Sequence, residues 1–316
     1  MREERRREQT KLLNKLRGIE EEPEEKEEII EEEQEEDNKK SHKTLLLSIF
    51  IIILIVLYAT TIEPKYLFKV NEYSIKTNKI DQNMNGLKIV NFSDIHYGTT
   101  IGEKELSKYV NKINELKPDI VFFTGDLLDK NINLSEDSIN IIKKELSKIE
   151  ASLYKYAIYG DNDYINANTY KEILTQSNFT LLDNEVKLLF KEGNIPIVIS
   201  GINKYNQKDY SFINTSIEDI DITNYYKIIL DHEPDNITNY MNYNPDLILN
   251  AHSLGGLIRI PYLGGILNKK EAKKYNKEYQ LLNNTQIYNS FGLGTENIRI
   301  RLFNYPSISF FRLYLD

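Results

Sequence analysis

Nineteen consecutive residues, Thr44–Ile62 (TLLLSIFIIILIVLYATTI), carry no charge. Wound as an α-helix at ~1.5 Å per residue, such a run matches the ~30 Å hydrocarbon core of a bilayer. A buried helix of a water-soluble domain keeps a polar stripe, and this run has none. A secretory leader has a shorter apolar region at the extreme N-terminus and a small-residue cleavage site. Here 43 residues come first, and Tyr58-Ala59-Thr60 fits such a site poorly. The reading is a transmembrane helix over 44–62, with the rest of the chain divided between the two sides of a membrane. Lys39, Lys40 and Lys43 flank one end, Glu63 and Lys65 the other. Cytoplasmic flanks are enriched in Lys and Arg, so residues 1–43 are expected in the cytoplasm and 63–316 outside it, in a single-pass protein of the cell membrane.

Residues 1–40 hold 10 basic and 16 acidic side chains, which carry −6 of the net charge of −8. With so few apolar residues they read as a solvated, partly helical or disordered tail of low complexity, and they specify no partner. The stripe Leu12, Leu13, Leu16, Ile19 and the isolated Ile29–Ile30 are too short for a coiled coil. Only −2 of the charge is left for residues 41–316, and so neutral a domain is a poor electrostatic trap for nucleic acid. Cysteine is absent, which removes disulfides, thiolate–zinc sites and thiol catalysis. Any metal must be held by His, Asp, Glu or Asn.

From about residue 66 short runs of Ile, Val and aromatics alternate with helical repeats. The strand candidates are Leu87–Phe92, Ile120–Thr124, Tyr156–Tyr159, Ile197–Ser200, Ile228–Leu230 and Leu247–Asn250, then Gly256–Ile260, Thr285–Phe291 and Ile308–Leu315. Leu106, Val110, Ile113 and Leu116 mark one helix; Ile139, Ile142, Leu146 and Ile149 mark another, with Ser135 as its N-cap. Such alternation predicts an α/β sandwich over 66–316.

Six metal-capable residues follow strand candidates. LKIVNFSDIH leaves Asp94 and His96 after the first, DIVFFTGDLLD leaves Asp126 after the second, and KYAIYGDND leaves Asp161 after the third. His232 and His252 follow two later ones, and of the four histidines only His42 lies elsewhere. Loops from several strands converge at the carboxyl end of an α/β sheet, and carboxylates with imidazoles gathered there suit a dinuclear site for divalent metals.

Asp94-Ile-His96, Gly125-Asp126-Leu-Leu-Asp129, Gly160-Asp161-Asn162-Asp163, the lone His232 and Ala251-His252-Ser253-Leu254 resemble, in order and context, the signature of the calcineurin-like metallophosphoesterases. His232–Asp235 (HEPD), the stretch Gly255, Gly256, Arg259, Pro261, and the turn Gly292–Thr295 before Ile300-Arg301 are similar to its membrane-associated bacterial branch. The resemblance implies a four-layer α/β/β/α sandwich, two mixed sheets flanked by helices. It implies two divalent ions of Mn, Fe, Zn or Mg type: Asp94 and His96 on the first, Asp126 shared, and Asp161, His232 and His252 on the second. It also implies hydrolysis of phosphate mono- or diesters by a metal-activated water, on a lipid-linked or envelope substrate. Asn162 and Asp163 fall at catalytic positions.

The chain departs from that pattern. Asp161 stands where the family has Asn, which adds a negative charge. Asn162 replaces the histidine that protonates the leaving group, and an amide has no proton to give near neutral pH. Leu254 replaces the second His of Gly-His-x-His, which leaves the first ion three protein ligands, still a workable open site. General acid catalysis contributes ~10²–10⁴-fold, so slow turnover or a good leaving group is expected. The alternative is a catalytically weak or inactive relative that binds metal or a phosphorylated ligand.

Overall fold

The computed structural model describes residues 2–18, 24–129, 134–193, 195–203, 205, 209–215, 217 and 220–316. It divides into two compact units, Met1–Val56 and Leu57–Asp316. The first consists of helix α1 (Arg2–Leu16) and most of helix α2 (Glu24–Leu57). The expected tail is therefore largely helical, and Ile19 of its apolar stripe lies outside the described residues. One continuous helical stretch, Glu36–Tyr66, is long and apolar enough to cross a membrane, the one such helix among the described residues. It passes through a π turn at Tyr58–Ile62 and ends as α3 (Glu63–Tyr66). Leu45 to Leu57 are exposed along it.

The second unit holds two six-stranded mixed sheets. In chain order its strands are β1 (Lys69–Thr77), β2 (Leu87–Phe92), β3 (Ile120–Phe123), β4 (Tyr154–Ala157), β5 (Thr180–Leu181), β6 (Glu185–Leu189), β7 (Ile197–Gly201), β8 (Tyr226–Leu230), β9 (Leu247–Asn250), β10 (Arg259–Ile260), β11 (Gly264–Gly265), β12 (Tyr279–Leu282), β13 (Thr285–Asn289) and β14 (Ser307–Leu315). The first sheet runs β1-β14-β2-β3-β4-β5, the second β12-β13-β9-β8-β7-β6. β2, β3, β4 and β5 pair in parallel, as do β7, β8 and β9, and of these β2, β3, β7, β8 and β9 are buried almost throughout. Continuous apolar sequence is what such strands require.

Alternation along each strand builds the layers. Leu87, Ile89, Ile120 and Phe122 meet Ile197, Ile199, Ile228 and Leu247 between the sheets. Val90, Phe92, Val121 and Phe123 face outward into a second core with Leu106, Val110, Ile113, Ile142 and Leu146. Those last residues belong to α4 (Glu103–Glu115) and α5 (Glu136–Ser147), and α6 (Ala167–Gln176) joins them through Tyr170, Ile173 and Leu174. Ser135 caps α5 as expected, its Oγ accepting from the Ser138 N–H at 3.2 Å. Over the second sheet the outer layer is built from short 3-10 segments such as Pro234–Asn239 rather than α-helices, packing Ile237 and Tyr240 on Ile229 and Ile248.

The strand expected at Gly256–Ile260 is mostly a turn. Leu254–Gly256 is 3-10, and only Arg259–Ile260 pairs, with Gly264–Gly265. Leu254, Gly255, Gly256 and Leu257 all have positive φ, which extended backbone excludes.

Candidate metal centre

Asp94 and His96 follow β2, Asp126 follows β3 and Asp161 follows β4, neighbouring strands of the first sheet. His232 and His252 follow β8 and β9 of the second. The loops at these strand ends meet, and Asp94, His96, Asp126, Asp161, His232 and His252 form two adjoining groups. Asp94, His96 and Asp126 make one; Asp161, His232 and His252 make the other. Within each, the ligand atoms lie within 4.8 Å of one another.

Tight backbone makes the convergence possible. Asp94, His96, Asp126 and His252 have φ between 45° and 64°, a region costly for side chains larger than glycine and found where the surroundings enforce it. Here the enforcement is visible: the Asp94 N–H donates to the Gly125 carbonyl at 2.9 Å and the His96 N–H to the Asp126 carbonyl at 3.1 Å. Gly125 and Gly160 must be glycine because the two loops touch; a Cβ on Gly125 would lie 2.4 Å from the Gly160 nitrogen. Asp163 ties the same loops. Its wholly buried carboxylate accepts from the N–H groups of Asp126 (2.8 Å), Leu127 (3.0 Å) and Gly160 (2.9 Å).

Asp126 stands between the two groups. Its Oδ2 lies 3.6 Å from His96 Nε2 and 3.4 Å from His232 Nε2, so one oxygen faces both groups. Asp161 Oδ1 lies 2.9 Å from His232 Nε2 and 3.0 Å from His252 Nδ1. Each of these two imidazoles spends its other nitrogen on a backbone carbonyl: His232 Nδ1 lies 2.7 Å from Thr124 O, and His252 Nε2 lies 2.7 Å from Lys270 O. Such bonds fix the tautomer and leave a lone pair aimed inward, the usual support for a metal-ligating histidine.

The electrostatics are mutual. Burial pushes the Asp126 carboxyl up, but the charge and hydrogen bond of His232 outweigh it and hold the group well below the usual carboxylate range. Burial likewise opposes ionisation of Asp161, which His232 and His252 hold low. His232, which burial alone would push down, is raised by Asp126 and Asp161. Burial and the neighbouring Asp126 push Asp163 up to about 7.

The donor set fits divalent ions, and the first group supplies the sharpest observation. Among the described residues neither ring nitrogen of His96, nor Oδ1 of Asp94, has a hydrogen-bond partner, although both side chains are wholly buried. Orphaned polar atoms of this kind are costly, and a cation between them would satisfy them.

Two departures take physical form. Asn162 donates from its backbone N–H to Asp126 Oδ1 (2.9 Å) and from its side chain to Asp126 Oδ2 (2.8 Å), so its amide steadies the shared carboxylate. Leu254 is buried beside Asp94: a Cβ placed on Gly292 would touch Asp94 Cβ at 2.6 Å and Leu254 Cδ2 at 2.9 Å.

Sequence reasoning missed two cations. Lys269 Nζ lies 2.7 Å from Glu296 Oε2, with both side chains mostly buried. Burial works against its charge, but Asp126, Asp161, Glu296 and Asp94 raise its pKa above the ordinary lysine value. It lies in a Lys- and Asn-rich stretch (Asn268–Lys274) that reads as plain surface. Arg301, also wholly buried, donates through Nη2 to the carbonyls of Phe291 (2.8 Å), Gly292 (3.2 Å) and Gly294 (2.6 Å). That brace holds the Gly292–Thr295 turn against Asp94, whose carbonyl accepts from the Gly294 N–H at 2.7 Å. The Ile300-Arg301 pair had been the only sign of it in the sequence.

Two mixed sheets with carboxylates and imidazoles paired at their converging strand ends define a metal-dependent phosphoesterase fold and site. The family model for calcineurin-like phosphoesterases matches residues 87–256, and the chain belongs to that family. It is 31% identical over 260 residues to the uncharacterized metallophosphoesterase YkuE of Bacillus subtilis, covering 81% of this chain and 88% of that one. It is 26% identical over 318 residues to the UDP-2,3-diacylglucosamine pyrophosphatase LpxG of Chlamydia muridarum, covering 81% and 92%. A transmembrane protein with a metallophosphoesterase domain from Danio rerio is 26% identical over 246 residues, 74% of this chain and 54% of the fish protein.

Proposed function

We propose that this chain is a membrane-anchored, metal-dependent phosphoesterase whose 63–316 domain works on the outer side of the membrane. The observation that carries the reading is the pair of adjoining donor groups with Asp126 Oδ2 between them, and the buried, unsatisfied ring nitrogens of His96 and Oδ1 of Asp94 beside it. In this reading Asp161, His232 and His252 hold one divalent ion, Asp94 and His96 the other, and Asp126 both. Bound there, such ions supply Lewis-acid charge neutralisation and lower the pKa of water toward neutrality.

The chain's own residues do the rest. Thr124 O and Lys270 O orient the two imidazoles, and Asp163 clamps the Asp126 and Gly160 loops so that the shared carboxylate keeps its aim. Asn162 stands at the proton-donor position but can only donate hydrogen bonds, so the leaving group must depart with little protonation. That favours activated esters and pyrophosphate-type linkages. The ammonium of Lys269, held by Glu296 beside the anionic centre, offers a fixed positive charge for a phosphoryl oxygen. Membrane anchoring through residues 44–62, and the acyl-sugar nucleotide in the name of the Chlamydia relative, favour a lipid-linked or envelope phosphate ester over a soluble metabolite.

The test uses the full chain in lipid nanodiscs, loaded with Mn²⁺ and assayed on bis(p-nitrophenyl) phosphate and p-nitrophenyl phosphate, with bound metal counted by mass spectrometry. Metal-dependent release of nitrophenol supports the reading. Bound metal with no hydrolysis of either ester would favour the binding-only alternative, for which Leu254 and Asn162 speak. Failure to bind any metal would overturn both.

A further inference from the structure

The β10–β11 hairpin carries a cluster of uncovered apolar side chains. Its turn holds Tyr262, fully exposed, and Leu263, 80% exposed; Ile260, Ile266 and Leu267 flank them, and Phe303 joins them across the groove at the hairpin's base. Scattered exposed hydrophobics are ordinary, but a contiguous set at a protruding tip marks an interaction surface.

Its place in the fold says what covers it. The hairpin base is hydrogen-bonded to Leu302: the Arg259 N–H donates to the Leu302 carbonyl at 2.9 Å, and the Leu302 N–H to the Leu257 carbonyl at 3.1 Å. The residues on either side of Leu302 bind the end of the apolar helical stretch. The Arg301 N–H donates to the Ala59 carbonyl at 2.8 Å, and the Phe303 and Asn304 N–H groups donate to the Glu63 carboxylate. A single short segment, Arg301–Asn304, thus lies between the hairpin base and the point where the helix leaves its apolar run. Two cations, Arg259 and Lys277, line the groove at its base, and Lys277 is exposed. An aromatic and aliphatic tip with a lysine and an arginine at its base matches the chemistry of an anionic lipid interface, where tyrosine sits at headgroup level and basic side chains pair with phosphate.

We propose that the β10–β11 hairpin is a second membrane contact, with Tyr262 and Leu263 entering the headgroup–acyl boundary of the leaflet in which the Glu36–Tyr66 helix ends. This rests on reading that helix as a membrane anchor. The hairpin grows from the turn that carries Leu254, and Arg259 Nη1 donates to the Gly255 carbonyl of that turn at 3.0 Å. The contact therefore ties one wall of the metal centre to the bilayer plane, within reach of an amphiphilic substrate whose ester lies at the interface.

The chain has no cysteine, so Leu263→Cys creates a sole thiol for a nitroxide spin label. The full chain is reconstituted in vesicles of phosphatidylethanolamine and phosphatidylglycerol, and collision with lipid-soluble O₂ is compared with collision with a water-soluble nickel chelate. Ile53→Cys, within the apolar helix, and Glu185→Cys, at the exposed first position of β6, give the two reference values. A label at 263 with a ratio several-fold above that at 185, and falling when phosphatidylglycerol is replaced by phosphatidylcholine, is the expected result. A ratio at 263 equal to that at 185, with the label at 53 in hydrocarbon, overturns the contact and leaves the anchor standing. A water-exposed label at 53 overturns the anchor itself. Shielding from both reagents, with spectral broadening that grows with the protein-to-lipid ratio, would mean a second copy of the chain covers the tip, and would also overturn the proposal.

Discussion

The two halves of the candidate metal centre are built to different standards. Around Asp161, His232 and His252 each imidazole is anchored by a backbone carbonyl, and Asp161 Oδ1 lies about 3 Å from the inward nitrogen of both rings. Around Asp94 and His96 the side chains are better buried but worse supported. Among the described residues His96 has no hydrogen-bonded partner on either nitrogen, and an apolar Leu254 sits where a ligand would help. Burial alone does not make a good metal site. A neutral imidazole must have its tautomer chosen for it, and outer partners that do so are worth 10–100-fold in affinity. The second half has them, so it should hold the tighter ion, with the first exchangeable.

Removing what the halves share should erase the contrast. Asp126→Ala is expected to lower hydrolysis by about 10³-fold, the scale on which loss of one preorganised group acts, and to reduce bound metal at both halves. Retention of one tight ion with full activity would show that Asp126 bridges nothing. Asn162→His acts on rate instead. Restoring a proton donor at that position should raise kcat for a poor leaving group by about 10²-fold, the low end for general acid catalysis, because the new side chain also gives up the Asn162 amide bond to Asp126. Equal acceleration of poor and good leaving groups would argue against proton donation as the cause.

The same contrast explains what was legible beforehand. The candidate ligands could be read because most of them sit just beyond strands whose apolar runs are buried, β2, β3, β8 and β9, and such strands announce themselves; β4, half exposed as YKYA, was legible only from its last residues and the motif after it. The edge strand β1 could not: its sequence, KVNEYSIKT, is half polar, and it is held by parallel pairing with β14 more than 200 positions away. The 3-10 layer over the second sheet was equally hidden, since segments of a single turn leave no periodicity. Asp163 was placed among catalytic residues by its motif, whereas its contacts are with backbone amides, a distinction that only geometry makes. Lys269 and Arg301 were missed because a buried cation looks like any other lysine or arginine until the carboxylates and carbonyls that justify its burial are brought to it.

Leu254→His sharpens the comparison by repairing the weaker half. If the apolar side chain beside Asp94 is what thins that site, an imidazole there should tighten the weaker of two Mn²⁺ ions by about 10-fold and leave the tighter one unchanged. A calorimetric titration separates the two. Tightening of both ions alike would mean that Leu254 acts through the fold rather than through one site. Leu254 is fully packed, so the thermal midpoint is measured alongside, and a loss of stability without any gain in affinity would place the residue in the core and not in the centre.

Lys269→Met should give the smallest effect and the most informative sign. Its ammonium stands near Asp94, Asp126 and Asp161, so it repels an incoming divalent ion while attracting an anionic substrate. Deleting the charge and keeping the length should therefore strengthen binding of the weaker metal ion by a few-fold, since a single screened charge contributes about 1 kcal/mol. The same change should raise KM for a phosphodiester by a similar factor, with kcat little altered if the lysine holds ground state and transition state alike. Glu296→Gln, which frees Lys269 from its 2.7 Å partner, should shift both quantities the opposite way. If both variants weaken metal and substrate together, the Lys269–Glu296 pair is a strut between the hairpin segment and the Gly292–Thr295 turn, and the first half of the centre works without a fixed charge of its own.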